Sequence, residues 1–245
     1  MFQTLVFKAQ TLLNKRTLLH FTAITIVISL ISFYIFKHWS FNDKNINRKK
    51  NCKISDKQYQ ESEYAHKLLD GLKGIEIGAS SYSPFCLDTI NVNYSNNTKI
   101  FRETELKVTG TYVEVDVVAS GDNLPFANDS YDFVINGHVI EHFYDPVKAI
   151  EEWLRVIKKG GYVFMIIPHK ERTFDKAFNR TTLNEIIERH ENKPDPGFVD
   201  DHGHHSIWIT EDFIKICQHF NWKIHSLFDT DDKGGISFTV VLQKQ

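Results

Sequence analysis

Gly74-Ile-Glu-Ile-Gly-Ala-Ser80 is the stretch on which the fold turns. An apolar strand interrupted by Glu76 and closed by Gly78 marks a place where backbone approaches a ligand closely, since glycine puts no Cβ in the way. Glu76 would then order the loop or face a ligand's positive end. A glycine-ended strand with a tolerated carboxylate would read the same, so the flanking segments have to decide. From Gly74 onward, short apolar runs alternate with amphipathic segments, the pattern of a doubly wound, mostly parallel α/β sheet. Strands are expected at 74–77, 89–93, 111–118, 131–136, 161–168, 222–228 and 236–243, giving a seven-stranded sheet.

The clearest helix is expected over 145–159. Asp145 suits its N-cap, Pro146 its first turn, and Val147, Ile150, Trp153, Leu154 and Ile157 form one apolar stripe. Lys158 and Lys159 would favour its negative end, and Gly160 would stop it. Other helices are expected from about Gln58 to Gly71, over 182–190, and from Thr210 with Phe213, Ile214, Cys217 and Phe220 facing inward.

Upstream, residues 17–36 carry no formal charge, and at helical rise they would span about 30 Å, the hydrocarbon thickness of a bilayer. No small-x-small cleavage site precedes Lys37, so residues 1–37 read as a retained membrane anchor and 38–56 as a polar tether to a domain over 57–245. Eight basic residues against Asp43 make residues 1–50 strongly positive; the total charge of −2 leaves the body acidic, unlike a nucleic-acid binder. Lys37, Lys44, Arg48, Lys49, Lys50 and Lys53 outnumber Lys8, Lys15 and Arg16, which places the body on the cytosolic side of the membrane. Cys52, Cys86 and Cys217 stand apart without ligand spacing or an evident disulfide framework, in keeping with a reducing compartment.

Two later segments carry a family resemblance. Asp116–Phe126 ends in Leu124-Pro-Phe126 and leads into Asn128-Asp-Ser-Tyr-Asp-Phe-Val-Ile-Asn-Gly-His-Val-Ile-Glu-His142. With Asp145-Pro146, Trp153 and Lys159-Gly160-Gly161, these residues resemble the type 11 branch of class I methyltransferases, over roughly Gly74 to Pro168. The resemblance implies a Rossmann-like sheet and S-adenosylmethionine as cofactor. It further implies that Glu76, Gly78, Ala79 and Ser80 surround the cofactor's methionine part, with Asn136, Gly137 and His138 beside it and the sulfonium. Asn93 stands where the family offers an acid to the ribose; an amide still accepts a hydroxyl's hydrogen bond, without the strength of a carboxylate. The adenine contact is left open between Ser120, Gly121 and Asp122. A dinucleotide fold would need Gly-x-Gly-x-x-Gly, whereas Ala-Ser-Ser-Tyr-Ser-Pro follows Gly78; a loop with one glycine suits a cofactor without phosphates.

Methyl transfer from a sulfonium is an in-line displacement that depends on alignment, and it needs a base only where the acceptor is protonated. His138, His142, His169, His202, His204 and His205 are the histidines at rim positions, and His169 and His138 are the catalytic candidates. His138 and His142 could equally cap the turn together with Glu141. The run Asp200-Asp-His-Gly-His-His205 lacks the His-x₃₋₅-His or paired-Cys spacing of a zinc site, so it reads as active-site wall and no metal is expected. Residues 170–201 are too long for a simple connection and read as a lid or acceptor-binding insertion. Its Arg172, Arg180 and Arg189 are either anion-binding or ordinary helix charges, with the second reading favoured. The expected function is methyl transfer to a small-molecule, glycan or lipid-linked acceptor. The alternatives are a catalytically silent cofactor-binding domain, a membrane-tethered interaction module and a phosphate-binding nucleotide enzyme.

Overall fold

The computed structural model describes residues 59–96, 99–192 and 203–245. The expected anchor and tether, Cys52, Asp200, Asp201, His202 and the end of the insertion lie outside the described residues. Among the described residues, no helix is long and apolar enough to cross a membrane.

The described chain opens with helix α1 (Glu63–Leu69), capped by the Ser62 hydroxyl, which accepts the Ala65 N–H at 3.0 Å. Then come β1 (Gly74–Ile77), β2 (Thr89–Asn93), α2 (Lys99–Thr109), β3 (Val117–Val118), β4 (Tyr131–Gly137), α3 (Pro146–Val156) and β5 (Ile157–Pro168). Helices α4 (Leu183–Asn192) and α5 (Thr210–His219) precede the closing strands β6 (Ile224–Phe228) and β7 (Ser237–Gln243). The sheet has seven strands in the order β3-β2-β1-β4-β5-β7-β6. Strands β3 to β5 run parallel, and β7 inserts antiparallel between β5 and β6. Because β1 has β2 on one side and β4 on the other, the order reverses there, and a crevice opens at the carboxyl ends of β1 and β4.

Strand alternation sorts the apolar side chains into two layers. Ile75, Ile77, Val134, Val163 and Met165 pack with Val147, Ile150 and Trp153 of α3 and with Phe213 and Cys217 of α5. Phe133, Ile135, Phe164 and Ile166 face the other way, onto Ala65 and Leu69 of α1. Both faces are covered, which is why these strands read as nearly continuous apolar runs.

Several boundaries differ from expectation. β3 keeps only two of the eight residues over 111–118, because Asp116 and Glu114 are drawn off to serve Asn91: the Asp116 carboxylate accepts its backbone N–H (2.7 Å) and the Glu114 carbonyl its side-chain amide (2.8 Å). Asp145 does cap α3, accepting the Lys148 N–H at 3.0 Å, but the helix stops at Val156. Ile157 pairs with Tyr131, Lys158 reaches Asp132 (2.7 Å), and Gly160 donates to the Lys244 carbonyl (2.9 Å). Sheet partners for the main chain thus outweigh the attraction of two lysines to a helix end. The cysteines also depart from the reading of three isolated thiols: Cys86 is disulfide-bonded, whereas Cys217 is free and buried.

Candidate functional site

The turn after β1 is built by β2. Gly78 donates to the Val92 carbonyl (2.9 Å), and the Ala79 N–H is held by the Asn91 side-chain oxygen (3.1 Å). Gly78 has φ +69°, and a Cβ there would come within 3.1 Å of Val139 Cγ2, so turn and β4 loop lie in close approach. The Ser80 hydroxyl accepts the Tyr82 N–H (3.1 Å). Glu76 is buried on the opposite sheet face from Ile75 and Ile77 and accepts the Thr89 hydroxyl (3.1 Å). Its charge also acts on Lys233, whose ammonium donates to the Pro84 carbonyl (2.5 Å) and sits 4.6 Å above the Phe85 ring.

Asn93 closes β2, half-buried, its carbonyl accepting the Ala119 N–H (3.0 Å). In the next loop the Ser120 hydroxyl donates to the Asp122 carboxylate, which also takes the Lys148 ammonium (2.8 Å). Burial alone would raise the Asp122 pKa, but hydrogen bonds from Lys148 and Ser120 outweigh it and hold the carboxyl below its usual range. Gly121 serves packing: a Cβ would meet Phe143 at 2.7 Å, and its carbonyl accepts the Trp153 indole N–H (2.8 Å).

Asn136 and Gly137 are the last residues of β4, so the loop begins at His138. Asn136 is fully buried, and neither its amide nitrogen nor its oxygen has a hydrogen-bond partner. A buried amide in that state costs about 1–3 kcal/mol unless something bonds it. His138 takes the left-handed region (φ +56°), and its Nε2 lies 2.6 Å from the Ser237 hydroxyl. Burial lowers its pKa, so the ring is neutral at physiological pH.

One turn further, Ile140–His142 forms a short 3₁₀ segment in which Glu141 is fully buried with both carboxylate oxygens unbonded. Burial pushes this carboxyl up to about 8. His142 is pushed down to about 4, by burial first and then by the neighbouring His204. At neutral pH neither is charged, so the 3.8 Å between His142 Nε2 and the Glu141 oxygen is no ion pair. The Glu141 carbonyl accepts the N–H groups of His205 (2.8 Å) and Ser206 (3.1 Å), which brings His204 over the Glu141 carboxyl.

His169 is also a local cap: its Nδ1 accepts the Glu171 N–H (3.2 Å), and its ring packs edge-on against Phe238. Burial first, then Arg172, lowers its pKa. With Nδ1 accepting, the neutral ring carries its proton on Nε2 and donates there. Arg172 is bound by Asp229, Arg180 by Asp212 (2.7 Å) and Arg189 by the His205 carbonyl (2.8 Å). All three arginines therefore hold the domain together, and Ile186 of α4 is buried in the main core, so the described part of the insertion is packed down.

Sequence reasoning placed the Gly78–Ser80 turn, Asn93, the 120–122 loop and Asn136–His138 at the carboxyl ends of β1 to β4, and the fold puts them there. It passed over Asn91, Lys233, Ser237 and Asp231, whose carboxylate accepts three backbone N–H groups, from Lys233 and Gly234 of the β6–β7 loop and from Ser237 at the start of β7 (2.7–2.9 Å). Asn91 alone had a visible signal, a polar residue at an inward strand position.

Residues 74–165 match the family model described as a methyltransferase domain. The chain is 30% identical over 135 residues to an uncharacterized protein of Methanocaldococcus jannaschii, covering 50% of this chain and 62% of that one. To the uncharacterized methyltransferase YcgJ of Bacillus subtilis it is 27% identical over 104 residues, 42% of this chain and 41% of the relative. It thus spans less than two thirds of the length of either. A solved SAM-dependent methyltransferase of Methanosarcina mazei aligns at 16% identity and a TM-score of 0.48, over 74% of this chain and 97% of that one. Residues 74–165 thus match a methyltransferase-domain family whose methyl donor is S-adenosylmethionine.

Proposed function

We propose that this chain transfers a methyl group from S-adenosylmethionine to a small-molecule, glycan or lipid-linked acceptor. The observation that carries the reading is Asn136, a fully buried amide with both polar atoms unbonded at the end of β4. Together with the left-handed turn at Gly78, it fits a polar cofactor entering the crevice between β1 and β4. In this reading Glu76, Gly78, Ala79 and Ser80 with Asn136, Gly137 and His138 hold the methionine part. Asn93 meets the ribose, and the 120–122 loop, preordered by the Ser120–Asp122–Lys148 contacts, flanks the adenine. Bound there, the cofactor supplies an electrophilic methyl group on a sulfonium.

The protein's share is alignment, plus a proton acceptor where the acceptor atom is a hydroxyl. His138 is the better base, being neutral and buried beside Ser237. His169, with Nδ1 occupied, acts as a donor in the wall. Residues 17–36 with their basic flanks support a membrane anchor with the domain on the cytosolic side. The Cys86 disulfide favours the opposite side, since such bonds persist in oxidising compartments. Protease protection of the domain in sealed vesicles separates the two.

Calorimetry of the full chain with S-adenosylmethionine, S-adenosylhomocysteine and NAD tests the main reading. Heat with the adenosyl compounds and none with NAD is expected. No heat from folded protein with either adenosyl compound would overturn it, and heat with NAD alone would select a dinucleotide enzyme. Binding without turnover on any acceptor class would select a cofactor-sensing domain, the reading that Asn93 and Ser120 favour by departing from the family's acids.

A further inference from the structure

We propose that Glu141, His142 and His204 form a binding site for a single divalent transition-metal ion, zinc by their ligand chemistry. One ligand atom of each residue lies within 4.8 Å of the others, the group of this kind found among the described residues. The carboxylate of Glu141 has no solvent exposure and no hydrogen bond to either oxygen. A buried carboxylate that served packing alone would be bonded by donors.

The two imidazoles are oriented for the same point. His204 Nδ1 lies 2.9 and 3.0 Å from the two oxygens of the buried Asp175 carboxylate, which can only accept, so the ring's proton sits on Nδ1. Its Nε2 lone pair is then directed to the Glu141 oxygen, 4.0 Å away. His142 Nδ1 faces the Gly203 carbonyl (3.2 Å), another pure acceptor, and its Nε2 lone pair lies 3.8 Å from the same Glu141 oxygen. Neither Nε2 carries a hydrogen for Glu141, so with that carboxyl's own proton displaced the three groups face one another with acceptors only. A cation is the partner that satisfies all three.

Carboxylate and carbonyl bonds to the far nitrogen of each ligand histidine are the usual outer support of a metal site. Two imidazoles and one carboxylate suit zinc with an open fourth position, whereas magnesium prefers oxygen ligands alone. Bonds of about 2.0–2.2 Å bring ligand atoms to roughly 3.3–3.5 Å apart, so closure on the ion needs these separations to shrink by up to about 1.5 Å. The His142 side chain is 39% exposed and gives the ion a way in. Spacing rules miss the site because its third ligand comes from the segment before α5, which Glu141 pins in place through the His205 and Ser206 amides.

The test is ion binding by the full chain, prepared without a histidine tag and stripped by a chelator. It does not depend on methyl transfer. Titration with Zn²⁺ should give one ion per chain, Co²⁺ should give the visible absorption of a four-coordinate site, and Mg²⁺ should not compete. Glu141→Gln and His204→Ala should each weaken zinc binding about 100-fold or more, and Asp175→Asn about 10–100-fold. His225→Ala, on the exposed side of β6, should leave it unchanged. If a histidine variant fails to fold, the nearly isosteric Glu141→Gln carries the test alone. Folded wild type that binds no zinc, or zinc affinity unchanged in Glu141→Gln, would overturn the site.

Discussion

His138 Nε2 lies 2.6 Å from the Ser237 hydroxyl, a contact that joins the first residue after β4 to the first residue of β7, 99 positions later. It makes the orientation of a candidate base depend on the strand inserted antiparallel between β5 and β6. Ser237→Ala should therefore lower kcat about tenfold with cofactor affinity within twofold, and His138→Ala should lower it by about 10²-fold or more on a hydroxyl acceptor. Steady-state kinetics with calorimetry distinguish the two effects. Equal kcat in wild type and His138→Ala would remove this histidine from the chemistry.

Asn136 sets function against stability. Replacing its unbonded buried amide with the apolar Asn136→Leu removes a desolvation penalty, and the ligand-free protein should gain about 1 kcal/mol. The same change should weaken S-adenosylmethionine binding at least tenfold, by about 1.4 kcal/mol. Thermal melts with and without cofactor give both numbers. A less stable variant with unchanged affinity would show that Asn136 does not face the cofactor.

Gly161 allows β5 to pass β4. A Cβ there would stand 2.5 Å from the Asp132 carbonyl oxygen and 2.9 Å from that of Lys158, both backbone atoms that cannot swing away. Gly161→Ala should destabilise the domain by about 1–3 kcal/mol in urea unfolding. An unchanged midpoint would mean that the strands separate there more readily than their pairing implies.

Lys233 gives the stability a pH dependence of definite sign. Burial lowers its pKa from 10.5 to about 8, against the pull of Glu76 and Asp232. Between these values the unfolded chain keeps a proton that the folded chain has released, so this group's contribution to stability rises with pH. Over pH 7.5 to 9.5, wild type should gain about 2 kcal/mol relative to Lys233→Met. Parallel curves for the two proteins would show that the amine is solvated.

Cys217 should resist modification. Burial pushes its thiol up to about 12, and its side chain packs inside the main core. A disulfide-exchange reagent at pH 8 should label it only on unfolding. Rapid labelling of folded protein would contradict that burial.

Much of the fold was legible in the sequence because the apolar pattern is local. β1 and β2 fall where Gly74–Ile77 and Thr89–Asn93 were expected, and Asp145 caps α3. The ends were less legible wherever a distant partner competed: Ile157 and Lys158 left the helix for β4, and Asp116 left its strand to hold Asn91. The disulfide at Cys86 was likewise invisible to spacing.

By itself the sequence determined the layered α/β plan, the methyltransferase resemblance and which loops follow the carboxyl ends of the strands, since these follow from hydrophobic period and short contiguous motifs. Only the tertiary structure decided which polar groups lie buried without partners. Asn136 and Glu141 look ordinary as letters, and their meaning comes from what the fold places around them and what it withholds. Hydrogen-bond satisfaction is a property of three-dimensional neighbours, and the neighbours that matter here, Asp175, His204 and Ser237, arrive from elements far along the chain.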